Sequence, residues 1–344
     1  MNHETLSILN SRELIDVREY HMDRLTRLFN GEVFDEPFFL SGYGGWGQSD
    51  PTKEPEKWTD EALTNLAHTI ENNYEKILAK KTFYPLTVSS SIYGVHFTDR
   101  LFGANISFES DLWWSSGVDN KIGELPVPDL EHNETWKQAQ NLVLAFVDSG
   151  VKLPFTETTV LGEPWNQTIN LYKEDGLMAF YDNPKAIKRD LTVVADTLVE
   201  MHKWFIKTIP AEQFQPICSC GRCQPRGFGQ MCGCSTHLIS NEIYEEFVRE
   251  EDEKILNLYP NGCMYHLCGH HTQHIPSWMN MPKVRAFQTN DLATDLFPEF
   301  YKSSRPDQIF YINFTEKVDM KKVYEISDGG KRCVFVSEYT ENYK

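Results

Sequence analysis

The residues best suited to chemistry in this 344-residue chain are soft and borderline metal donors, and they fall in two places. "MYHLCGHHTQHI", Met264 to Ile275, carries four of the eleven histidines beside a cysteine. "CSCGRCQPRGFGQMCGC" holds Cys218, Cys220, Cys223, Cys232 and Cys234. Imidazole and thiolate are preferred ligands of Zn²⁺, and thiolate clusters also hold iron–sulfur centres. The cysteine spacing, C-x-C-x2-C-x8-C-x-C, is neither a zinc ribbon nor a ferredoxin run.

"CMYHLC" (263–268) reads as a buried strand, and alternate residues of a strand share a face. His266 and Cys268 therefore point the same way at the strand's end. The plainer reading, with equal claim, is that they fill core and cap a strand, since buried cysteine is usually a small hydrophobe. Two donors do not complete a tetrahedral site, so a third must come from a neighbouring element. Cys232 and Cys234 end the run "GFGQMCGC" (227–234) and are expected to point inward towards the pair. Cys218, Cys220 and Cys223 precede that run and read as reduced surface thiols, with a separate structural site as the alternative. His270, His271 and His274 read as solvated or supporting residues in preference to ligands.

Eight short apolar runs can supply the elements that position these groups: 37–44, 84–93, 151–158, 227–234, 263–268, 284–290, 308–314 and 333–339. Helical patterns lie between most of them. One follows Thr59 as an expected N-cap, one spans "NPKAIKRDLTVVADTLVEMHKWFIKTI", and one follows Ser240 and stops before Pro260-Asn261-Gly262. Alternating strands and helices predict an α/β fold, and eight parallel strands fit a (β/α)8 TIM barrel. A doubly wound open sheet is the rival, but no G-x-G-x-x-G follows an early strand. The chain reads as a single domain over 1–344, with an N-terminal helical layer over 1–36 and an elaborated connection over 94–150.

Composition narrows the function classes. With 33 basic against 50 acidic residues the net charge is -17, which disfavours nucleic acid and anionic membrane surfaces as partners. No run is long and apolar enough for a membrane helix, and the first residues do not have the pattern of a secretory leader. The expectation is a soluble, cytoplasmic protein with reduced cysteines.

Four stretches, in order, resemble the uroporphyrinogen decarboxylase superfamily and, within it, the cobalamin-dependent methyltransferases of the methylcobamide:thiol type. They are "RLTRLFNGEVFDEPFFL", "GLMAFYDNPKAIKRDLTVVADTLVEM", "STHLISNEIYEEFVREEDEKI" and "YHLCGHH". The third has Asn241 where the family usually has proline. The resemblance implies a TIM barrel in which the H-x-C pair, here His266 and Cys268, binds Zn²⁺ and activates a thiol for attack on methylcobalamin. The family's third ligand is a cysteine beyond the last strand. Here Gly329-Gly330 is followed by Cys333, which comes too early, and the matching position falls near Glu338. Cys234 is the first candidate for the missing ligand, Cys232 the second and Glu338 the third.

The function so implied is zinc-dependent methyl transfer between a small methylated substrate or thiol and a corrinoid carried on a partner protein. Tyr43, Trp46, Trp113, Trp114 and His270 are candidate lining for the substrate pocket, with ordinary packing an equal claim on the tryptophans. One alternative is a metal-free decarboxylase like the family's namesake, but "SGYGGWGQSDP" offers no cation to hold a polycarboxylate. Another is a non-catalytic protein that handles metal or corrinoid through its cysteine cluster.

Overall fold

The computed structural model describes residues 1–42, 54–110, 112–216 and 221–344. Tyr43, Trp46, Cys218 and Cys220 lie outside the described residues. The fold is mixed α/β with mostly parallel sheet. Its strands are β1 (Phe38–Leu40), β2 (Thr87–Ser89), β3 (Ile106–Glu109), β4 (Leu112–Ser115), β5 (Phe155–Glu157) and β6 (Phe214–Gln215). They continue with β7 (Gly229–Cys232), β8 (Cys263–Cys268), β9 (Val284–Asn290), β10 (Ile309–Asn313) and β11 (Cys333–Val336).

One parallel sheet runs β1-β11-β10-β9-β8-β7 and another β2-β5-β6. Isolated parallel bridges join Leu40 of β1 to Phe83, ahead of β2, and Cys232 of β7 to Gly162, after β5. The regular ladders do not close into one continuous sheet among the described residues.

Side-chain parity divides the molecule into two cores. On β8, Cys263, Tyr265 and Leu267 belong to the large outer core packed under the helices, while Met264 belongs to a smaller inner core. β10 alternates in the same way, with Phe310 and Ile312 outward and Ile309 and Tyr311 inward. The inner core also holds Phe38, Leu40, Phe155, Ala286 and Val334, together with Met22, Leu25, Leu28 and Phe29 of the helix Arg12–Phe29. That helix starts where Ser11 caps the Leu14 amide. One end of the inner space is thus filled with hydrocarbon. Nearer the strands' C-terminal ends, the same inward positions become Glu157, Cys232, His266 and Gln288, then Cys268 and Asn290. Ligand sites of parallel α/β sheets are found at those strand ends.

The helix Pro184–Thr208 buries Ile187, Leu191, Val194, Leu198, Met201 and Phe205, a stripe with the spacing of one helix face. Ser240 caps the next helical stretch by accepting from the Ile243 amide, as its sequence predicts. The Thr59 expectation is corrected. That helix begins at Pro55, whose ring is suited to the first turn, and Thr59 instead donates to the Pro55 carbonyl from inside the helix. The 94–150 stretch carries two short helical segments, the antiparallel hairpin β3–β4 and the helix Glu134–Asp148. No described helix is long and apolar enough to cross a membrane.

Candidate metal centre

Cys234, His266 and Cys268 come together, with donor atoms all within 4.8 Å of one another. Two of the three follow from parity on β8. The third arrives differently from expectation. β7 ends at Cys232, and Cys234 begins the 3-10 turn Cys234–Leu238, so a turn and not strand alternation delivers its sulfur.

His266 Nε2 lies 3.3 Å from Cys268 Sγ. Its other nitrogen, Nδ1, is hydrogen-bonded to Gln288 Oε1, its direct partner across β8 and β9. An amide oxygen only accepts, so Nδ1 carries the proton and the Nε2 lone pair faces the sulfurs. Donors 2.0–2.3 Å from one tetrahedral centre stand about 3.5–3.8 Å apart, and the 3.3 Å between Nε2 and Sγ and the 4.8 Å limit on the whole set lie to either side of that range.

The two sulfurs are close enough to act on each other's ionisation. The hydrogen bond from Cys234 is the main cause that draws the Cys268 thiol down to about 4, with His266 and Asn290 adding to it against burial. The same contact, together with burial and the neighbouring Cys232, pushes Cys234 upward. A first thiolate therefore forms readily, and a second needs a cation beside it. A divalent metal supplies that cation, and the donors present fit zinc. Three protein donors is the number of a catalytic zinc site, whose fourth position takes water or substrate.

A polar clamp behind the ligands holds them in place. His271 is fully buried and neutral, since burial holds its pKa down to about 3. It donates from Nε2 to the Cys268 carbonyl (2.6 Å), and its Nδ1 lies 3.0 Å from the Thr236 hydroxyl, which donates to the Gly233 carbonyl. His274 Nε2 donates to the Thr236 carbonyl (2.8 Å), and His237 Nδ1 donates to the Cys234 carbonyl (2.5 Å). One histidine network thereby ties the turn that carries Cys234 to the end of β8. Asn290 Nδ2 approaches Cys268 Sγ at 3.9 Å, and Asn313 bonds Asn290 at 2.8 Å.

The other sequence candidates are not part of this group of three donors. Cys232 is buried and accepts from Arg222 Nη1 at 3.3 Å. Glu338 accepts from the Tyr84 hydroxyl and pairs with Lys76 Nζ at 3.0 Å. Cys223, expected at the surface, is fully buried in the inner core. Cys333 starts β11 and faces the outer core, where burial pushes its thiol up to about 12. His271 and His274 are buried and not solvated, while His270 is exposed. Trp113 packs on Tyr93 and Phe108, and Trp114 is half exposed on the same hairpin. The residues missed from the sequence are Gln288 and Asn290. Their signal is alternation in "VRAFQTN", two amides that follow Ala286 at every second position and so share its face. A cavity of about 650 Å³ opens between the helices Pro55–Asn72 and Glu134–Asp148, and none of the metal donors lines it.

The fold has a solved counterpart. It is similar to a methyltransferase from Methanosarcina mazei, with a TM-score of 0.64 and 10% identity, over 91% of each chain. At that identity the likeness is one of fold, and fold alone does not carry function. No protein-family model matches the chain, and no curated protein does.

Proposed function

We propose that this chain is a zinc-dependent methyltransferase of the uroporphyrinogen decarboxylase superfamily. It moves a methyl group between a small substrate or thiol and a corrinoid on a partner protein. In this reading the two parallel sheets and their bridges form an irregular (β/α)8 barrel, and residues 1–344 are one domain. The observation that carries the proposal is the Cys234–His266–Cys268 set at the strand ends of a fold shared with a methyltransferase.

Bound zinc would lower the pKa of a coordinated thiol, so that the nucleophile exists near neutral pH. The rest falls to the chain. Cys234 and Cys268 would supply two thiolates, whose charge would favour a nucleophilic sulfur at the fourth position. Gln288 fixes His266 in the tautomer that presents Nε2. His271 and His237 hold the carbonyls of the two cysteines, so ligand geometry is set before substrate arrives.

The test has two readouts. Purified protein should hold one zinc per chain, and the zinc-loaded protein should convert free methylcobalamin and a small thiol to cob(I)alamin and the methyl thioether, followed by its visible spectrum. A protein that binds no zinc, or that binds it and leaves methylcobalamin unchanged with every small thiol offered, would overturn the proposal.

A further inference from the structure

The two cysteine donors of the metal centre are not equivalent. Cys268 Sγ is faced by the side-chain amide of Asn290, its register partner on β9, with Nδ2 at 3.9 Å. That is the long end of what an N–H group spans to sulfur. Cys234 Sγ has no such amide donor among the described residues.

Three neighbouring strands place this amide. Cys268, Asn290 and Asn313 are the last residues of β8, β9 and β10. Thr289 pairs with Ile312, so Asn313 comes to lie beside Asn290. Asn313 Nδ2 donates to Asn290 Oδ1 at 2.8 Å, which leaves the Asn290 NH₂ to face the sulfur. The opposite orientation would aim a carbonyl oxygen at a thiolate. The chain turns sharply just past this point. Asp291 has φ +46°, a conformation that costs a non-glycine residue energy. Thr294 holds the turn: its amide donates to the Asp291 carbonyl (3.0 Å) and its hydroxyl to the Thr289 carbonyl (3.0 Å). Asn290 is thereby tied by its side chain to β10 and by its backbone neighbours to Thr294.

We infer that Asn290 is a positioning residue that keeps Cys268 a ligand: its N–H draws charge from that sulfur, so an incoming methyl group goes to a different one. The inference rests on the zinc methyltransferase reading above. In methyl transfer a sulfur lone pair makes the new S–CH₃ bond, and the electron pair of the methyl's old bond stays with the leaving atom. Every thiolate in the site competes for that methyl. A cysteine that took it would become a neutral thioether and be lost as an anionic ligand. A hydrogen bond to a thiolate occupies a lone pair and disperses its charge, which lowers its reactivity and leaves it free to coordinate. Cys268 is thus the less reactive of the two protein sulfurs.

The experiment compares the two cysteines within one molecule. Zinc-loaded wild type, Asn290→Leu and Asn313→Leu are treated with limiting methyl iodide, whose carbon–iodine pair leaves as iodide, and then digested. Mass spectrometry quantifies the methylated peptides of Cys234 and Cys268. In the wild type, which needs no variant, Cys268 should be methylated more slowly than Cys234. In Asn290→Leu the Cys268-to-Cys234 ratio should rise roughly tenfold, the worth of one hydrogen bond to a charged acceptor. Asn313→Leu should move the ratio the same way, and zinc content before methylation should stay at the wild-type value in both variants. Cobalt-loaded protein gives a second readout that loss of packing would not move: the sulfur-to-metal charge-transfer band should shift to lower energy in Asn290→Leu. Zinc retained with an unchanged ratio, or Cys268 methylated faster than Cys234 in the wild type, overturns the role of Asn290 alone. A wild type that holds no zinc overturns the methyltransferase reading and this inference with it.

Discussion

Cys268 Sγ stands 3.3 Å from His266 Nε2, and the two residues are separated by a single leucine on one strand. Because Leu267 turns outward into the large core, the pair is locked to the inner face by the pleat itself. Removing either donor should therefore abolish metal retention without unfolding the strand. His266→Ala and Cys268→Ser are each expected to fall from one zinc per chain to below about a tenth after dialysis, since either change leaves two protein donors where a catalytic zinc site has three. Elemental analysis beside a circular dichroism spectrum checks this. Full zinc content in either variant would exclude it as a ligand.

Cys234 is predicted to behave as those two do, and Cys232 and Glu338 are not. Cys232→Ala should retain its zinc. Glu338→Ala should retain it too, and lose stability by about 1 kcal/mol, from the Tyr84 hydrogen bond and the half-exposed Lys76 pair. Denaturant melts and metal analysis of the three variants separate the outcomes. Zinc loss in Glu338→Ala would restore the carboxylate as a ligand.

The way these residues were or were not legible in the sequence has a physical basis. A strand's two-residue period is local, so "HLC" announced its shared face without knowledge of the fold, and β8 and β9 fall on the expected residues. Cys234 was reachable only as one of three candidates, because a turn after β7 carries it and turn geometry depends on the His237, Thr236 and His271 bonds across 35 residues of chain. Cys223 was misplaced for the same kind of reason. Nothing local says that the segment after β6 runs into the inner core, a path made possible by Gly221 beside Val336 and Tyr311 beneath Cys223. The hairpin β3–β4 was hidden because its aromatics, Phe108 and Trp114, stay half exposed and follow no core periodicity.

Gln288 should matter to the metal although it never touches it. Gln288→Leu keeps the volume but removes the acceptor that fixes Nδ1–H, so His266 is free to present the wrong tautomer. Zinc affinity is expected to fall about 10–100-fold, the usual cost of losing a ligand's hydrogen-bond partner. Competition with a chromogenic chelator measures it. Unchanged affinity would mean that packing alone orients the ring.

Acid should destabilise the fold through two histidines far from the metal. His21 is buried against Phe83, with ring centroids 5.1 Å apart, and neither ring nitrogen has a partner among the described residues. His202 bonds the Tyr259 hydroxyl through Nδ1 at 2.7 Å and is otherwise enclosed. Burial holds His21 down to about 3 and His202 to about 4, so both are neutral in the native protein at pH 7. In the unfolded chain each titrates near 6.5, so the unfolded state binds more protons below that pH and gains on the native one. Their contribution is whole above about 6.5, and each loses about 1.4 kcal/mol per pH unit below it. The loss levels off near 4 for His202 and near 3 for His21. Melting temperatures should hence fall steadily between pH 6.5 and 4. His21→Phe, which fits the same stacked site without a titrating nitrogen, should flatten that slope in part, with His202 and the similarly depressed His271 carrying the rest, while leaving the pH 7 value unchanged or higher. An identical slope in the variant would show that His21 is reached by protons in the folded state.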